Sequence, residues 1–269
     1  MRRAGPEPRQ PASWMRDVAS QSPQAGARIY VRRLSETAAE RDNLRTLTKA
    51  PHSGSPRVAH TRHAVLLTFA IDGDLRFISH RDTVRMMTRA LARAGLPVAY
   101  SQGFNPHVRM ALLLPRPVGL ATDGDLAVVH LSNPHDPNHI ASRLRAQLPE
   151  DALLLGVQSL ENCRQPALTS VTYELELGAE ASVDLPSLIR NFLDSNSVVV
   201  QRQDRLGQKK PPLDIRPLVQ EIKFENDTLT FLTRFVDDRT ATPRDVLSVL
   251  SLPWEDLRHR MRRRNIGWQ

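Results

Sequence analysis

Apolar residues recur at three- and four-residue steps between residues 79 and 94, and that spacing predicts the clearest helix of the chain. Val84, Met87, Leu91 and Ala94 fall on one stripe. Ser79 followed three residues later by Asp82 is a capping-box start. Gly95 followed by Leu96-Pro97 is a hard stop, because glycine accepts the left-handed turn and proline cannot continue the helix. An apolar run over 64–71 predicts a strand before this helix, closed by the turn Asp72-Gly73-Asp74. After the helix come an extended piece at 97–100 and strands at 107–114 and 126–131, with Pro115-Arg116-Pro117 and Asp123-Gly124-Asp125 read as breaks. A helix then runs to about residue 147 with Ile140 and Leu144 inward, and a strand at 153–160 closes the set. Strand, helix, two strands, helix, strand is the ferredoxin-like βαββαβ order.

The second half repeats the order. Residues 171–177 alternate apolar and polar positions, as a half-buried strand does. A helix at 185–193 is introduced by Ser182 or Asp184, and a strand follows at 198–203. Residues 204–212 form a basic loop with Arg205, Lys209 and Lys210. Strands at 213–224 and 228–235 flank Asn226-Asp227, and Thr242-Pro243-Arg244-Asp245 opens a helix that runs through 250. The last segment, 254–268, carries Arg258, Arg260, Arg262, Arg263 and Arg264 and reads equally as helix or closing strand. The expected fold class is α+β, two ferredoxin-like halves packed together over 61–165 and 166–269. Residues 1–60 read as a disordered basic tail and linker, rich in Pro, Arg, Ser and Gln, with only a thin stripe at Leu44 and Leu47. The tail is either a nucleic-acid arm or a solvated extension, the latter including a start codon placed too early.

Charge changes the picture more than size does. The 269 residues are 40% hydrophobic but only 5% aromatic, so the core must be built from Leu, Val and Ala. The net charge of +8 points to anionic polymers, anionic surfaces or acidic proteins. Arginine outnumbers lysine, and a guanidinium both grips phosphate with two donors and stacks, which favours nucleic acid. The single cysteine, Cys163, excludes an intramolecular disulfide and a three-cysteine iron–sulfur cluster. No apolar run approaches the roughly 20 residues of a membrane span and no signal-peptide core is present, so the expectation is a cytoplasmic protein without a membrane partner.

Candidate binding chemistry clusters around the first helix. Arg81, Arg85, Arg89 and Arg93 recur every fourth residue and so share one side of it. Asp82 is the only acid among them, so the row is either a ridge for phosphate or an acidic partner, or a solvated face. The following loop carries Tyr100, Gln102, Phe104, Asn105, His107 and Arg109. Aromatics beside arginine are what base stacking and phosphate contact need; the competing reading makes Tyr100 and Phe104 anchors into the core. His80 and His107 are the candidate catalytic acid–base pair, or structural hydrogen-bonding residues. No ligand spacing supports a metal site, and His135 and His139 lack the glutamate of a zinc-protease motif. Neither metal nor cofactor is expected, and no Walker loop, dinucleotide fingerprint or nucleophile elbow occurs.

These residues carry a family likeness. Leu75-Arg76-Phe77-Ile78-Ser79-His80-Arg81-Asp82, Arg89-Ala90-Leu91-Ala92-Arg93-Ala94-Gly95-Leu96-Pro97, the run from Tyr100 to Arg109, and Leu114-Pro115-Arg116-Pro117-Val118-Gly119 follow one another as in a known pattern. The chain resembles the radical-SAM-linked domain family, a domain of unknown function fused to or encoded beside cobalamin-binding radical SAM proteins. Asp214-Ile215-Arg216-Pro217 is similar to a second motif of that family. Arg81 stands where the family has leucine, and Val108 where it has proline. The resemblance implies a radical SAM protein as partner. Joined to the charge pattern, it gives the expectation of an accessory RNA-binding module that presents tRNA or rRNA to that partner. The alternatives are a metal-independent RNA-processing or RNA-modifying enzyme using His80 and His107, and a protein–protein adaptor.

Overall fold

Helix α1, His80–Arg93, forms where its local signals place it. The Ser79 hydroxyl accepts from the Asp82 amide at 3.2 Å and donates to the Asp82 carboxylate at 2.7 Å. Thr83, Met87, Ala90 and Leu91 are its buried residues, so the inward face is rotated slightly from the expected stripe and Val84 lies at its edge. At the far end Gly95 takes φ +60°, with Leu96 N donating to Leu91 O and Gly95 N to Ala92 O. That is a left-handed cap of the Schellman kind. Gly95→Ala is therefore expected to cost about 1–2 kcal/mol in urea denaturation, the cost of a side chain in left-handed backbone. The added Cβ would also lie 3.0 Å from the Arg143 guanidinium.

The computed structural model describes residues 63–178, 184–203 and 206–269. The tail and linker expected over residues 1–60, the candidate cap Ser182 and Arg205 of the basic loop lie outside the described residues. The fold is mixed α+β with a mostly antiparallel sheet. Strands β1 (His63–Ile71), β2 (Met110–Leu112), β3 (Ala121–Leu131) and β4 (Ala152–Ser159) come from the first half, with α2 (Pro137–Arg145) between the last two. The second half supplies β5 (Leu168–Glu176), α3 (Leu185–Asp194), β6 (Val199–Val200), β7 (Leu213–Asp214), β8 (Val219–Glu225), β9 (Thr228–Arg234), α4 (Pro243–Val249), α5 (Trp254–Leu257) and β10 (Met261–Trp268). The main sheet runs β4-β1-β3-β10-β5-β9-β8, with β2 also paired to β3; β6 and β7 pair separately. Within each half all pairings in this sheet are antiparallel. The halves are stitched by a short parallel contact, Arg262 with Ala121 and Arg263 with Thr122.

Two cores result. Val65, Leu67, Phe69 and Ile71 of β1 and Ala127, Val129 and Leu131 of β3 pack with Met87, Leu91, Ile140 and Leu144 of α1 and α2. The opposite phase, Ala64, Leu66, Leu126 and Val128, joins a larger core with Tyr173, Phe231, Phe192 and Leu247 of the second half. Side chains alternate across a strand, so one sheet serves both cores.

Four sequence expectations need correction. Asp123-Gly124-Asp125 is no break: β3 runs through it, because Asp125 is held inside the protein by partners distant in sequence. The strand expected at 107–114 is regular only over Met110–Leu112. That expected at 198–203 shrinks to Val199–Val200, and that at 213–224 splits into β7 and β8 around a 3-10 turn at Arg216–Leu218. Proline at 217 removes a ladder donor, and the Asp214 carboxylate turns back to accept from the amides of Val198 and Arg216. Those amide bonds hold the Asp214 carboxyl below its ordinary pKa, the Val198 amide most of all. The terminal segment resolves into α5 followed by β10.

Candidate functional site

The outer face of α1 carries the arginine row. Arg81, Arg85, Arg89 and Arg93 are all exposed. Two are engaged within the chain: Arg85 meets Asp82 at 3.0 Å, and Arg93 donates to the Gln147 carbonyl at 2.6 Å and to its side-chain oxygen at 3.3 Å. The Ser79 hydroxyl, then Arg85, draws the Asp82 carboxyl below its ordinary pKa. Arg81 and Arg89 have neither a hydrogen bond nor an ion pair from their side chains among the described residues. The row thus presents two uncommitted guanidinium groups and two partly committed ones.

The segment after the helix is a tongue rooted on β3. Ala99 N donates to His130 O at 2.8 Å, His130 N to Arg109 O at 2.9 Å, and Arg109 N to Ala99 O at 2.8 Å. Tyr100 pairs with Val108, Ser101 N donates to His107 O, and the Ser101 hydroxyl accepts from His107 N at 2.9 Å. The backbone of the root is fixed, while residues 102–107 at the tip are exposed. Phe104 is fully exposed and Tyr100 half-exposed, so neither anchors the loop to the core. Gln102, Asn105 and Arg109 are exposed beside them. The root and the ridge helix share one core, since Val98, Val108 and Met110 pack in the cluster that holds Met87 and Leu91.

His80 lies exposed in the first turn of α1, and His107 is exposed at the tongue. Among the described residues no hydrogen bond or ring contact joins the two imidazoles, and neither side chain has a partner that would orient it as a general base. His135 and His139 do meet, with ring centroids 5.0 Å apart. Among the described residues, no group of three or more His, Cys, Asp or Glu side chains is placed to hold a metal ion.

Sequence reading missed the charged seam between the halves. Arg263 of β10 is 1% exposed and donates to Asp125 at 2.7 Å, to Leu114 O at 3.3 Å and to Pro115 O at 3.1 Å. Arg116 is nearly as buried; it reaches the other Asp125 oxygen at 3.7 Å and donates to Leu120 O at 2.5 Å and Arg76 O at 2.9 Å. Burial lowers the Arg116 pKa, whereas for Arg263 burial, the largest single effect, is outweighed by Asp125 and Tyr173 together and the pKa rises. Tyr173 lies beneath Arg263, and burial pushes its phenol up. On the other phase of β10, Arg262 bridges Asp72 and Asp123, and Arg264 bridges Asp123 and Glu174, each at 2.5–2.7 Å. The β10 arginines are therefore structural cations. Period-two alternation in the arginine run was the one available signal, and it required knowing that the run is a strand.

A protein-family model described as "Uncharacterized protein conserved in bacteria (DUF2344)" matches residues 65–244. Among solved structures, the "Crystal Structure of an Unknown Protein from Galdieria sulphuraria" is similar at 16% identity. That likeness covers 77% of this chain and 98% of the other, with a TM-score of 0.22. No curated protein matches the chain. Among the described residues, no helix is long and apolar enough to cross a membrane.

Proposed function

Starting from a chain that belongs to the uncharacterized bacterial family DUF2344, we propose that it is an accessory RNA-binding module, presenting tRNA or rRNA to a radical SAM enzyme. The observation that carries the RNA reading is the pair of exposed, uncommitted guanidinium groups, Arg81 and Arg89, on a helix that shares its core with the root of a tongue whose Phe104 projects fully into solvent. Guanidinium groups hold phosphates at fixed positions, and an exposed ring offers a stacking surface that every base can use. What supports a radical SAM partner is the likeness of residues 75–119 to the radical-SAM-linked domains. The same reading takes each half as ferredoxin-like, supported by the strand orders β4-β1-β3-β2 and β10-β5-β9-β8, each flanked by its own pair of crossover helices.

Filter binding of a mixed-sequence single-stranded RNA to the full chain, at salt between about 50 and 200 mM, tests the reading. Log affinity should fall linearly with log salt, by about 0.7 for each phosphate neutralised. Binding that ignores salt would remove phosphate contact as the main source of affinity.

A further inference from the structure

The second half carries a basic feature that the ridge and tongue leave unused. Strands β6 and β7 form a two-stranded ribbon, Val199 with Asp214 and Val200 with Leu213. The ribbon continues beyond them, with Lys210 N donating to Arg202 O at 2.9 Å and Gln203 paired with Lys209. Arg202 clamps it to α4. Arg202 donates to both Asp245 oxygens, at 3.1 and 2.6 Å, and to Thr240 O at 2.8 Å. Asp245 in turn completes the Thr242 capping box. A planar guanidinium held bidentate is a rigid joint, so the ribbon stands at a fixed distance from α4.

Between ribbon and helix lies an open groove of about 700 Å³, a volume in the range of ordinary ligand sites. Its lining is mostly polar, with Val199, Val200 and Val249 as its apolar part. Its rim carries Lys210, Arg244 and Gln203, all exposed. Lys210 has no ion-pair partner among the described residues, and Arg244 has only a 3.5 Å contact with the exposed Glu255. The one acid in the lining, Asp245, is committed to Arg202 and to the cap. A neutralised acid, two available cations and a mixed polar and valine lining suit an anionic ligand with hydrogen-bonding groups, as a nucleotide has. We infer that this groove is a second RNA-contact site, taking a nucleotide of a single strand with its phosphate on Lys210 and Arg244. The inference rests on the RNA reading for the identity of the polymer, while the groove is a separate surface from the tongue.

Crosslinking of a 4-thiouridine-substituted single-stranded RNA to the full chain, mapped by mass spectrometry, separates the two. Crosslinks at residues 199–214 or 242–249 in addition to 100–109 are expected. Crosslinks confined to 80–109 would overturn the groove and leave the ridge intact. Crosslinks confined to the groove would keep the groove and remove the tongue; none anywhere would remove both. The double variant Lys210→Gln, Arg244→Gln, with its circular dichroism unchanged, should bind about tenfold more weakly and lower the salt slope by about 1.4, from 0.7 per lost phosphate contact. An unchanged slope would overturn the assignment of those two side chains.

Discussion

Asp125→Asn is expected to destabilise the fold by about 3–5 kcal/mol, the usual cost of removing one partner from a buried ion pair. Two buried guanidinium groups converge on this one carboxylate, Arg263 at 2.7 Å and Arg116 at 3.7 Å. The cluster already holds an excess positive charge. It is tolerated because backbone carbonyls take most of the remaining donors, Leu114 and Pro115 for Arg263 and Leu75, Arg76 and Leu120 for Arg116, while the Nε of each guanidinium is left without a hydrogen bond. The amide of asparagine would keep the shape and the hydrogen bond from the Thr122 hydroxyl while removing the charge. Urea denaturation followed by circular dichroism reads the effect. The surface pairs give the control. Arg264→Gln breaks contacts to Asp123 and Glu174 that face water, and exposed pairs contribute about 0–1 kcal/mol. If Asp125→Asn costs no more than Arg264→Gln, the seam is not held by charge. Replacing the triad together, Arg116→Met, Asp125→Leu and Arg263→Met, should recover most of the loss, because an apolar core of similar volume avoids desolvating ions.

The seam also separates what the sequence reveals from what it conceals. Helix α1 was legible because its signals are local: the Ser79 cap, the inward Met87 and Leu91, and the Gly95 stop lie within one short stretch. The Thr242 box of α4 was legible for the same reason. Asp125 was misread as part of a break between strands because aspartate and glycine interrupt strands, and its partner Arg263 lies 138 residues away. The arginines of β10 had the composition of a binding surface, yet Asp72, Asp123, Asp125 and Glu174 occupy them. Only the tertiary pairing of β10 with β3 and β5 brings those acids into reach. In the candidate site, positions on α1 were readable from the helical period, whereas exposure of Phe104 and Tyr100 was open until the backbone of the tongue was known. The ribbon of β6 and β7 was read as longer strands, because the Arg202–Asp245 clamp that fixes its place has no local signature.

Loss of RNA affinity should divide along two axes when the first site is dissected. The double variant Arg81→Gln, Arg89→Gln removes two uncommitted cations, and its salt slope should drop by about 1.4, with binding weakened roughly tenfold or more near physiological salt. Arg85→Gln with Arg93→Gln should have a smaller effect, because Arg85 already faces Asp82 and Arg93 is turned toward the Gln147 carbonyl. Phe104→Ala should act differently. Losing one base–aromatic stack costs about 1–3 kcal/mol, roughly five- to 150-fold in affinity, with the salt slope unchanged because no charge is lost. None of these variants should alter urea stability by more than about 0.5 kcal/mol, since all five side chains are exposed. A ridge variant that keeps its salt slope would show that the arginines face solvent alone. A Phe104→Ala protein that binds RNA normally but no longer captures a protein partner would turn the tongue into a docking element.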